Sequence, residues 1–422
     1  MAASFVLLLP STVGAQEKAS SALVAVRITL EEAQARAVAG KAAELAWLNV
    51  DAARYHRQAA QADYFPKINS TFINLHFNKF MGQRIQVLNR PVGLPVLNKD
   101  ETLVAVTLTQ PVTPLFKVHQ GVRIARADER IAKAKAAAAT AQVVMNVEKG
   151  YFELLIAQRR QTEAEAKVEI TERQAQIASA GSAPLEGMAE RQTALLEAQK
   201  ELLTANNRVT ELTNSLTALI GLSPDTRLEL AAPPLPPPPP LVVETVSAAQ
   251  AARQAIASNP EIVEAEQTIV KARAAHRLSK LEYVPDVAIL GGYAYQTASP
   301  LLPNDFSFIG VVATFNLFDF GKRERTIKER RTQVEMAEAN LELVRAKVAA
   351  GAQKTITDVD RTRRILELTR QVAALSRAAM PRDQAPGPEA RAALAKAEAE
   401  MFQADLDYRA AYAQFKRVAG EQ

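Results

Sequence analysis

The feature that most constrains this 422-residue chain is an internal duplication. Residues 30–64 align without gaps with residues 249–283, at a constant offset of 219 positions. Both segments are rich in alanine and have a helical pattern, and each is followed by proline, at Pro66 and Pro285. Because proline ends a helix and drives the preceding residue towards extended geometry, each proline predicts a change from helix to strand. The sequence therefore predicts one structural unit present twice.

Beyond each proline, both copies predict the same order of elements: two strands, a very long helix, a break and a returning helix. Strands are expected at 67–77, 103–112, 287–296 and 306–318. Helices are expected at 120–180, 185–220, 322–379 and 389–419. Each long helix would extend about 90 Å at 1.5 Å per residue. The connection between the two strands is long in the first copy, near 78–101, and short in the second, near 297–305.

The repeat also predicts the domain boundaries. Residues 1–27 are interpreted as a signal-like, unstructured N-terminus, because a short apolar run is followed by small residues. The first repeat is expected at 28–222 and the second at 247–420. Between them, 223–246 contain a run of prolines that predicts a stiff linker.

Aromatic residues concentrate in the predicted strands. Residues 64–80 and 283–320 hold 13 of the 22 phenylalanines and tyrosines, as expected of membrane strands with interfacial aromatics. Alternation predicts that Ile73 and Leu75 share one apolar face of the first strand, and that Val106 lies on an apolar face of the second. Four strands cannot close a membrane barrel alone, so this interpretation requires oligomerisation. The alternative is a soluble four-stranded sheet packed on helices.

The helices are expected to pack as a coiled-coil-like assembly. Hydrophobic residues make up 48% of the chain but aromatics only 5%, so the long helices carry mainly small aliphatic side chains on their apolar seams. The net charge of +5 comes from interleaved acidic and basic residues, a pattern typical of solvated helix faces, and no nucleic-acid partner is expected.

No catalytic motif is found, and the chain is not expected to be an enzyme. There is no phosphate-binding glycine loop or nucleophile elbow. The four histidines, His56, His76, His119 and His276, are scattered and do not have the spacing of metal ligands. We therefore expect no cofactor and no metal site.

The order of elements resembles that of the TolC-like outer-membrane efflux proteins. The most family-like segments are Ile28-Thr29-Leu30-Glu31-Glu32-Ala33, Ser258-Asn259-Pro260-Glu261-Ile262 and Phe315-Asn316-Leu317-Phe318-Asp319-Phe320-Gly321. The resemblance covers nearly the whole chain. It implies a mainly α fold with a membrane β-barrel part, in which three protomers form a 12-stranded barrel continued by an α-helical periplasmic barrel. Implied partners are two further copies of the chain, outer-membrane lipid, a periplasmic adaptor protein and an inner-membrane pump.

The resemblance also implies that the two helix–helix breaks form the periplasmic tip, where an adaptor docks. The candidate docking residues are Gly181, Ser182, Pro184, Leu185, Pro381, Arg382, Pro386 and Gly387. Family members often carry a Gly-Leu or Gly-Thr step at this point, whereas here Gly181 is followed by serine. Candidate pore-gate acids, which would favour cations, are Glu186, Glu190, Asp383 and Glu389. The alternative is that these acids stabilise helix N-termini.

The expected function is a passive exit duct in the bacterial outer membrane, with a large periplasmic part, for drugs or metal ions delivered by the pump and adaptor. Two alternatives remain. One is an outer-membrane conduit for type I protein secretion, which shares the fold. The other is a soluble periplasmic coiled-coil scaffold or adaptor without a barrel.

Overall fold

A computed structural model of the chain describes residues 25–87, 90–180, 185–223, 226–231, 253, 256–257, 259–299, 301–381 and 386–419. The candidate tip residues Gly181, Ser182, Pro184, Arg382 and Asp383 lie outside these ranges, as do 1–24 and most of the proline-rich segment.

The first repeat begins with strand β1 (Ala25–Ile28) and helices α1 (Leu30–Val38) and α2 (Lys41–Ala62). Strands β2 (Lys67–His76), β3 (Met81–Val87), β4 (Arg90–Leu97) and β5 (Asp100–Pro111) follow. The repeat continues with the 67-residue helix α3 (Pro114–Ala180) and the returning helix α4 (Leu185–Leu219). The long strand connection contains the β3–β4 hairpin, which the sequence interpretation did not include.

The second repeat has the same order without the extra hairpin. Helix α5 (Pro260–Lys280) leads through one turn of 3₁₀ helix to β7 (Asp286–Gln296) and β8 (Asp305–Thr314). Helix α6 (Lys322–Ala378) and the returning helix α7 (Pro388–Ala419) complete it. The predicted helix–strand–strand–helix–helix order is therefore confirmed in both copies. Residues 315–318, predicted as strand, instead belong to the connection between β8 and α6.

Strand β6 (Arg227–Leu230) lies between the repeats and pairs in parallel with β1. Its residues fall within the range predicted as a linker, and 25–27 of β1 fall within the range predicted as an unstructured N-terminus. Four residues of alternating polarity such as Arg227–Leu230 are too short to carry a recognisable strand signal. Their pairing depends on a partner about 200 positions away, at the opposite end of the repeat.

The main sheet has four antiparallel strands in the order β2–β5–β7–β8. Strands β2 and β8 are its two edges, each hydrogen-bonded on one side alone within the described chain. The strand pair of the first repeat, β2 and β5, is thus joined to the strand pair of the second repeat, β7 and β8, by the pairing of β5 with β7.

The helices form a layer four helices wide. Near the sheet, ion pairs connect α2 to α3 (Arg57 with Glu129, 2.5 Å), α3 to α5 (Asp128 with Lys271, 2.7 Å) and α5 to α6 (Arg273 with Glu338, 2.7 Å). Further from the sheet, α4, α3, α7 and α6 are joined in the same way, through Lys167 with Glu201, Arg159 with Glu398 and Arg377 with Glu398. The long helices α3 and α6 therefore run through the whole layer, and the shorter helices follow one another beside them.

Candidate functional site

One face of the four-stranded sheet is apolar across all four strands. Strand pairing brings together Ile68 and Phe72 of β2, Val104, Val106 and Leu108 of β5, Ile289, Tyr293 and Tyr295 of β7, and Ile309 and Val311 of β8. Most of these side chains are exposed in the single chain. Asn74, His76, Asp100 and Thr102 continue the same face at the far end of the sheet. An exposed apolar band with a polar margin is the arrangement expected of a sheet in contact with lipid.

The pairing confirms that Ile73 and Leu75 share one face of β2, and it places Val106 on the other face of the sheet. Ile73 lies opposite Leu103, and Val106 lies opposite Ser70. Both parities of β2 contain apolar residues, so alternation alone does not decide which of them shares a face with Val106. The continuous apolar face uses Ile68 and Phe72.

The other face of the sheet is mixed: small and polar side chains lie beside larger apolar ones, including Ile73, Leu290, Phe306 and Phe308. Asn69, Thr71, Thr107, Thr109, Gly292, Ala294 and Gly310 lie on it. Gly292 is required by close packing: a Cβ atom there would lie 2.6 Å from the carbonyl oxygen of Val106 and 2.9 Å from the ring of Phe308. The ring of Phe308 therefore lies over the position where Gly292 has no side chain.

Both free edges of the helix layer carry exposed apolar side chains. On α6 these are Met336, Leu343, Ile365, Leu368, Val372 and Leu375, which fall on one side of the helix at 3.6 residues per turn. On the opposite edge they are Leu45, Leu48 and Tyr55 of α2 and Leu196 and Leu203 of α4. Within each helix these residues point away from the buried side. Such narrow apolar stripes are typical of helices that pack against another helix.

A buried charged cluster joins α3 to α7 in the interior of the layer. Arg409 lies 3.0 Å from Asp405 and 3.4 Å from Glu148, and its guanidinium stacks on the ring of Phe152. Asp405 is completely buried, and its Oδ1 atom has no hydrogen-bond partner among the described residues. Burial raises the pKa of Glu148, and the neighbouring Arg409 partly offsets this effect. One guanidinium thus serves two carboxylates in a site with little water.

The connection between β8 and α6, residues 315–321, is held in a defined conformation. Phe320 and Gly321 both have positive φ angles, 55° and 78°. Arg323 is nearly buried; its Nε atom lies 2.9 Å from Asp319, and its guanidinium lies against the rings of Tyr283 and Phe315. We refer to this segment as the β8–α6 elbow. Its fold leaves Leu317, Phe318 and Phe320 strongly exposed.

The candidate tip residues that the structure describes lie at the ends of three helices, α4, α6 and α7. Pro381 follows α6 and is exposed, and Pro386 and Gly387 precede α7. Leu185 and Glu186 begin α4, and Glu190 is exposed on it. Glu389 is exposed in the first turn of α7, a position that also fits the helix-dipole alternative.

Sequence reasoning missed a set of ion pairs near the tip. Arg391 of α7 contacts Glu169 of α3, which joins the two helical hairpins. The carboxylate of Glu398 forms ion pairs with both Arg377 and Arg159. The sequence does not distinguish these charged residues from others, because charged residues at similar spacing occur along every helix. Their pairing depends on which helices become neighbours in the fold.

Two features are absent from the described residues: a helix that could span a membrane and a group of metal-binding side chains. None of the described helices is long and apolar enough to cross a membrane. In the same part of the chain, no three histidine or carboxylate side chains are grouped so that they could hold a metal ion. An open groove of about 750 Å³ between α3 and α4 is lined by side chains of both charges, including Arg160, Glu163 and Lys167.

Comparison with known proteins agrees with this architecture. The family model for outer membrane efflux proteins matches residues 44–222 and 251–421, one segment in each repeat. The chain therefore belongs to the outer membrane efflux protein family, and the resemblance to TolC-like proteins found in the sequence is confirmed. No curated protein matches by direct sequence comparison.

Solved structures share the fold over nearly the whole chain. The outer membrane protein VceC from Vibrio cholerae has a TM-score of 0.68 at 15% identity, over 93% of this chain and 96% of that chain. The Campylobacter jejuni CmeC outer membrane channel has a TM-score of 0.69 at 12% identity, over 93% and 85%. The open state of the Neisseria gonorrhoeae MtrE outer membrane channel has 0.66 at 14%, over 93% and 88%.

Proposed function

We propose that this chain is one protomer of a trimeric exit channel in the bacterial outer membrane. Three four-stranded sheets would form a 12-stranded barrel, and three helix layers would continue it as a tunnel through the periplasm. The observation that carries the proposal is the four-stranded sheet, which has one apolar face and whose edge strands β2 and β8 each pair on one side alone among the described residues. Unpaired backbone groups are very costly in lipid, so such a sheet is stable there only if its edges are joined.

The two edges of the protomer are different surfaces, which supports a head-to-tail ring. Strand β2 and helices α2 and α4 form one edge, and β8 and α6 form the other. When each copy contacts the next through two unlike surfaces, the copies form a closed ring if the rotations between them add up to a full turn. The apolar stripes of α6 and of α2 and α4 would then be buried between protomers. Three copies of the four-stranded sheet would supply the 12 strands that the resemblance to TolC-like proteins implies.

The ring would conduct small molecules, drugs or metal ions, passively from the periplasm to the outside. An inner-membrane pump would supply them, and a periplasmic adaptor would dock at the tip formed by 181–185 and 381–387. Glu186, Glu190, Asp383 and Glu389 would surround the tunnel entrance and favour cations. The face of the sheet that carries Asn69, Thr107 and Gly292 would line the conduit.

The test uses the full-length chain expressed in a strain that lacks its main efflux channel. We expect the protein in the outer-membrane fraction, as a trimer that migrates differently on gels before and after heating, and a purified trimer that conducts ions across planar bilayers. A water-soluble monomer after export would contradict the proposal and support the periplasmic scaffold or adaptor.

Cargo is tested in the same strain. Restored resistance to drugs or metal ions, when the cognate pump and adaptor are co-expressed, is the expected result. Export of a protein substrate with a transport ATPase, without restored resistance, would instead support the type I secretion conduit.

A further inference from the structure

Three strongly exposed apolar side chains lie on the β8–α6 elbow. Leu317, Phe318 and Phe320 are 86%, 72% and 84% exposed, and the rings of the two phenylalanines contact each other edge to face at 4.7 Å. Exposed apolar groups of this size in a well-defined segment indicate an interaction surface rather than a solvated loop. Arg323 fixes the elbow from its inner side, through Asp319, Tyr283 and Phe315.

A second apolar surface lies at the other edge of the protomer, where α2 joins β2. Phe65 occupies this connection and is 68% exposed. Strand β2 begins at Lys67 and strand β8 ends at Thr314, and both strands are free edges of the same sheet. Phe65 and the β8–α6 elbow are therefore the helix-side ends of the two edges.

The strand register offsets these two ends by four residues along the strand direction. Along one hydrogen-bonded row, Lys67 lies opposite Thr109, which lies opposite Leu290, which in turn lies opposite Gly310. Strand β8 continues four residues past that row towards the helices, and β7 also continues four, to Asp286. The strands are thus tilted relative to the line that joins their helix-side ends, as barrel strands are. The line that joins the helix-side ends of the strands begins next to Phe65, before β2, and ends at the start of the elbow, after β8.

We infer that Phe65 of one protomer packs against Phe318 and Phe320 of the next, forming an aromatic contact between copies at the junction of strands and helices. In a ring whose strands carry this tilt, the four-residue offset brings both ends to the same level, so the helix-side end of β8 meets the helix-side start of β2 in the neighbouring copy. Three such contacts would form a collar around the channel. The inference rests on the proposed trimer and adds the residues that hold the protomers together where lipid contact ends.

The chain contains no cysteine, so cross-linking can be directed without background. The test is the double variant Phe65→Cys with Phe318→Cys, treated in native membranes with a short bismaleimide. We expect covalent dimers and trimers on denaturing gels. The matched control is Phe65→Cys with Leu343→Cys, because Leu343 is on the exposed stripe of the same edge but about 30 Å further along α6 at 1.5 Å per residue. No ladder is expected from this control or from either single variant.

A stability measurement supplements the cross-linking. Phe318→Ala is expected to lower the temperature at which the trimer dissociates in detergent, and Phe318→Leu to restore most of the loss. Equal dissociation temperatures for the wild type and Phe318→Ala would count against the contact.

The outcomes separate the inference from the proposed function. Native trimers without elbow cross-links, together with labelling of Phe318→Cys by a bilayer-partitioning maleimide, would show that lipid covers the elbow, and would overturn the inference while leaving the channel intact. Absence of trimers from all variants and from the wild type would overturn both.

Discussion

The hydroxyl of Tyr151, in α3, donates a hydrogen bond to the main-chain carbonyl oxygen of Ile28 at 3.0 Å, and also contacts the carbonyl oxygen of Ala231. Ile28 ends β1 and Ala231 follows β6, so one buried side chain joins both strands of the small parallel sheet to the long helix. The start of the first repeat and the segment after its last helix are thereby held at the same point of α3.

Replacing Tyr151 with phenylalanine is expected to destabilise the fold by about 1–3 kcal/mol, because buried carbonyl groups lose their donor. The matched control is Tyr408→Phe. Tyr408 is also buried, but its hydroxyl has no partner among the described residues, so its removal should have little effect. Thermal unfolding of both variants in detergent checks this prediction, and equal losses would contradict it.

The pH dependence of stability provides a second test of Tyr151. Burial raises the pKa of Tyr151 from 10.0 to about 12. The unfolded chain therefore ionises this group first, and the contribution of Tyr151 to stability is complete below pH 10 and is lost as the pH rises towards 12. The difference in unfolding temperature between wild type and Tyr151→Phe should shrink over that interval. A constant difference would exclude the hydroxyl as its cause.

At Gly292, replacement with alanine is expected to disturb the sheet. The new Cβ would lie 2.6 Å from the carbonyl oxygen of Val106, which cannot move without breaking the β5–β7 pairing. Overpacking of this kind costs about 1–3 kcal/mol. The neighbouring Gly291→Ala is the control, because its nearest contact would be an ordinary 3.5 Å. The fraction of heat-resistant trimer in outer membranes is the measurement, and a normal trimer from Gly292→Ala with a defective one from Gly291→Ala would reverse the prediction.

Single cysteines on opposite faces of the sheet should distinguish lipid from lumen. Val106 and Ile73 are similarly exposed in the chain, 44% and 39%, but lie on opposite faces. We expect a bilayer-partitioning maleimide to label Val106→Cys and a water-soluble one to label Ile73→Cys. Lipid labelling of both positions to the same extent would be inconsistent with a closed barrel.

The cluster of Arg409, Glu148 and Asp405 predicts a pH-dependent defect. Arg409→Met would leave two buried carboxylates without their cation, at a cost of about 3–5 kcal/mol near neutral pH. Because burial already raises the pKa of Glu148, protonation on acidification should restore part of the stability. Unfolding temperatures at about pH 5 and at neutral pH measure this.

The control for that cluster is Arg361→Met, which breaks an exposed pair with Asp358 and should cost about 0–1 kcal/mol at either pH. A pH-independent loss in Arg409→Met would mean that packing against Phe152, rather than charge, explains its effect.

The tip acids are tested by ion selectivity. Glu190→Gln and Glu389→Gln are each expected to reduce the preference of the channel for cations in planar bilayers, with Glu211→Gln, exposed near the other end of α4, as control. If Glu389 instead stabilises the N-terminus of α7, its variant will unfold at a lower temperature while selectivity stays unchanged.

Much of this fold was determined by the sequence alone, because the signals are local. Pro66 and Pro285 end helices through their own backbone geometry, and the long helices follow from the 3.6-residue periodicity of their apolar residues. Because the two copies share one sequence pattern, the duplication predicts the same fold for both. The family resemblance followed from the order of these local elements.

Tertiary structure decided what depends on partners distant in sequence. Ile68 and Phe72, rather than Ile73, belong to the apolar face, because the register with β5 selects between two parities that both contain apolar residues. Likewise β6 is a strand because β1 and Tyr151 lie beside it, although its own four residues carry too little information to predict one. Ion pairs such as Arg391 with Glu169 join helices of different repeats, so their partners were defined only when the helices packed.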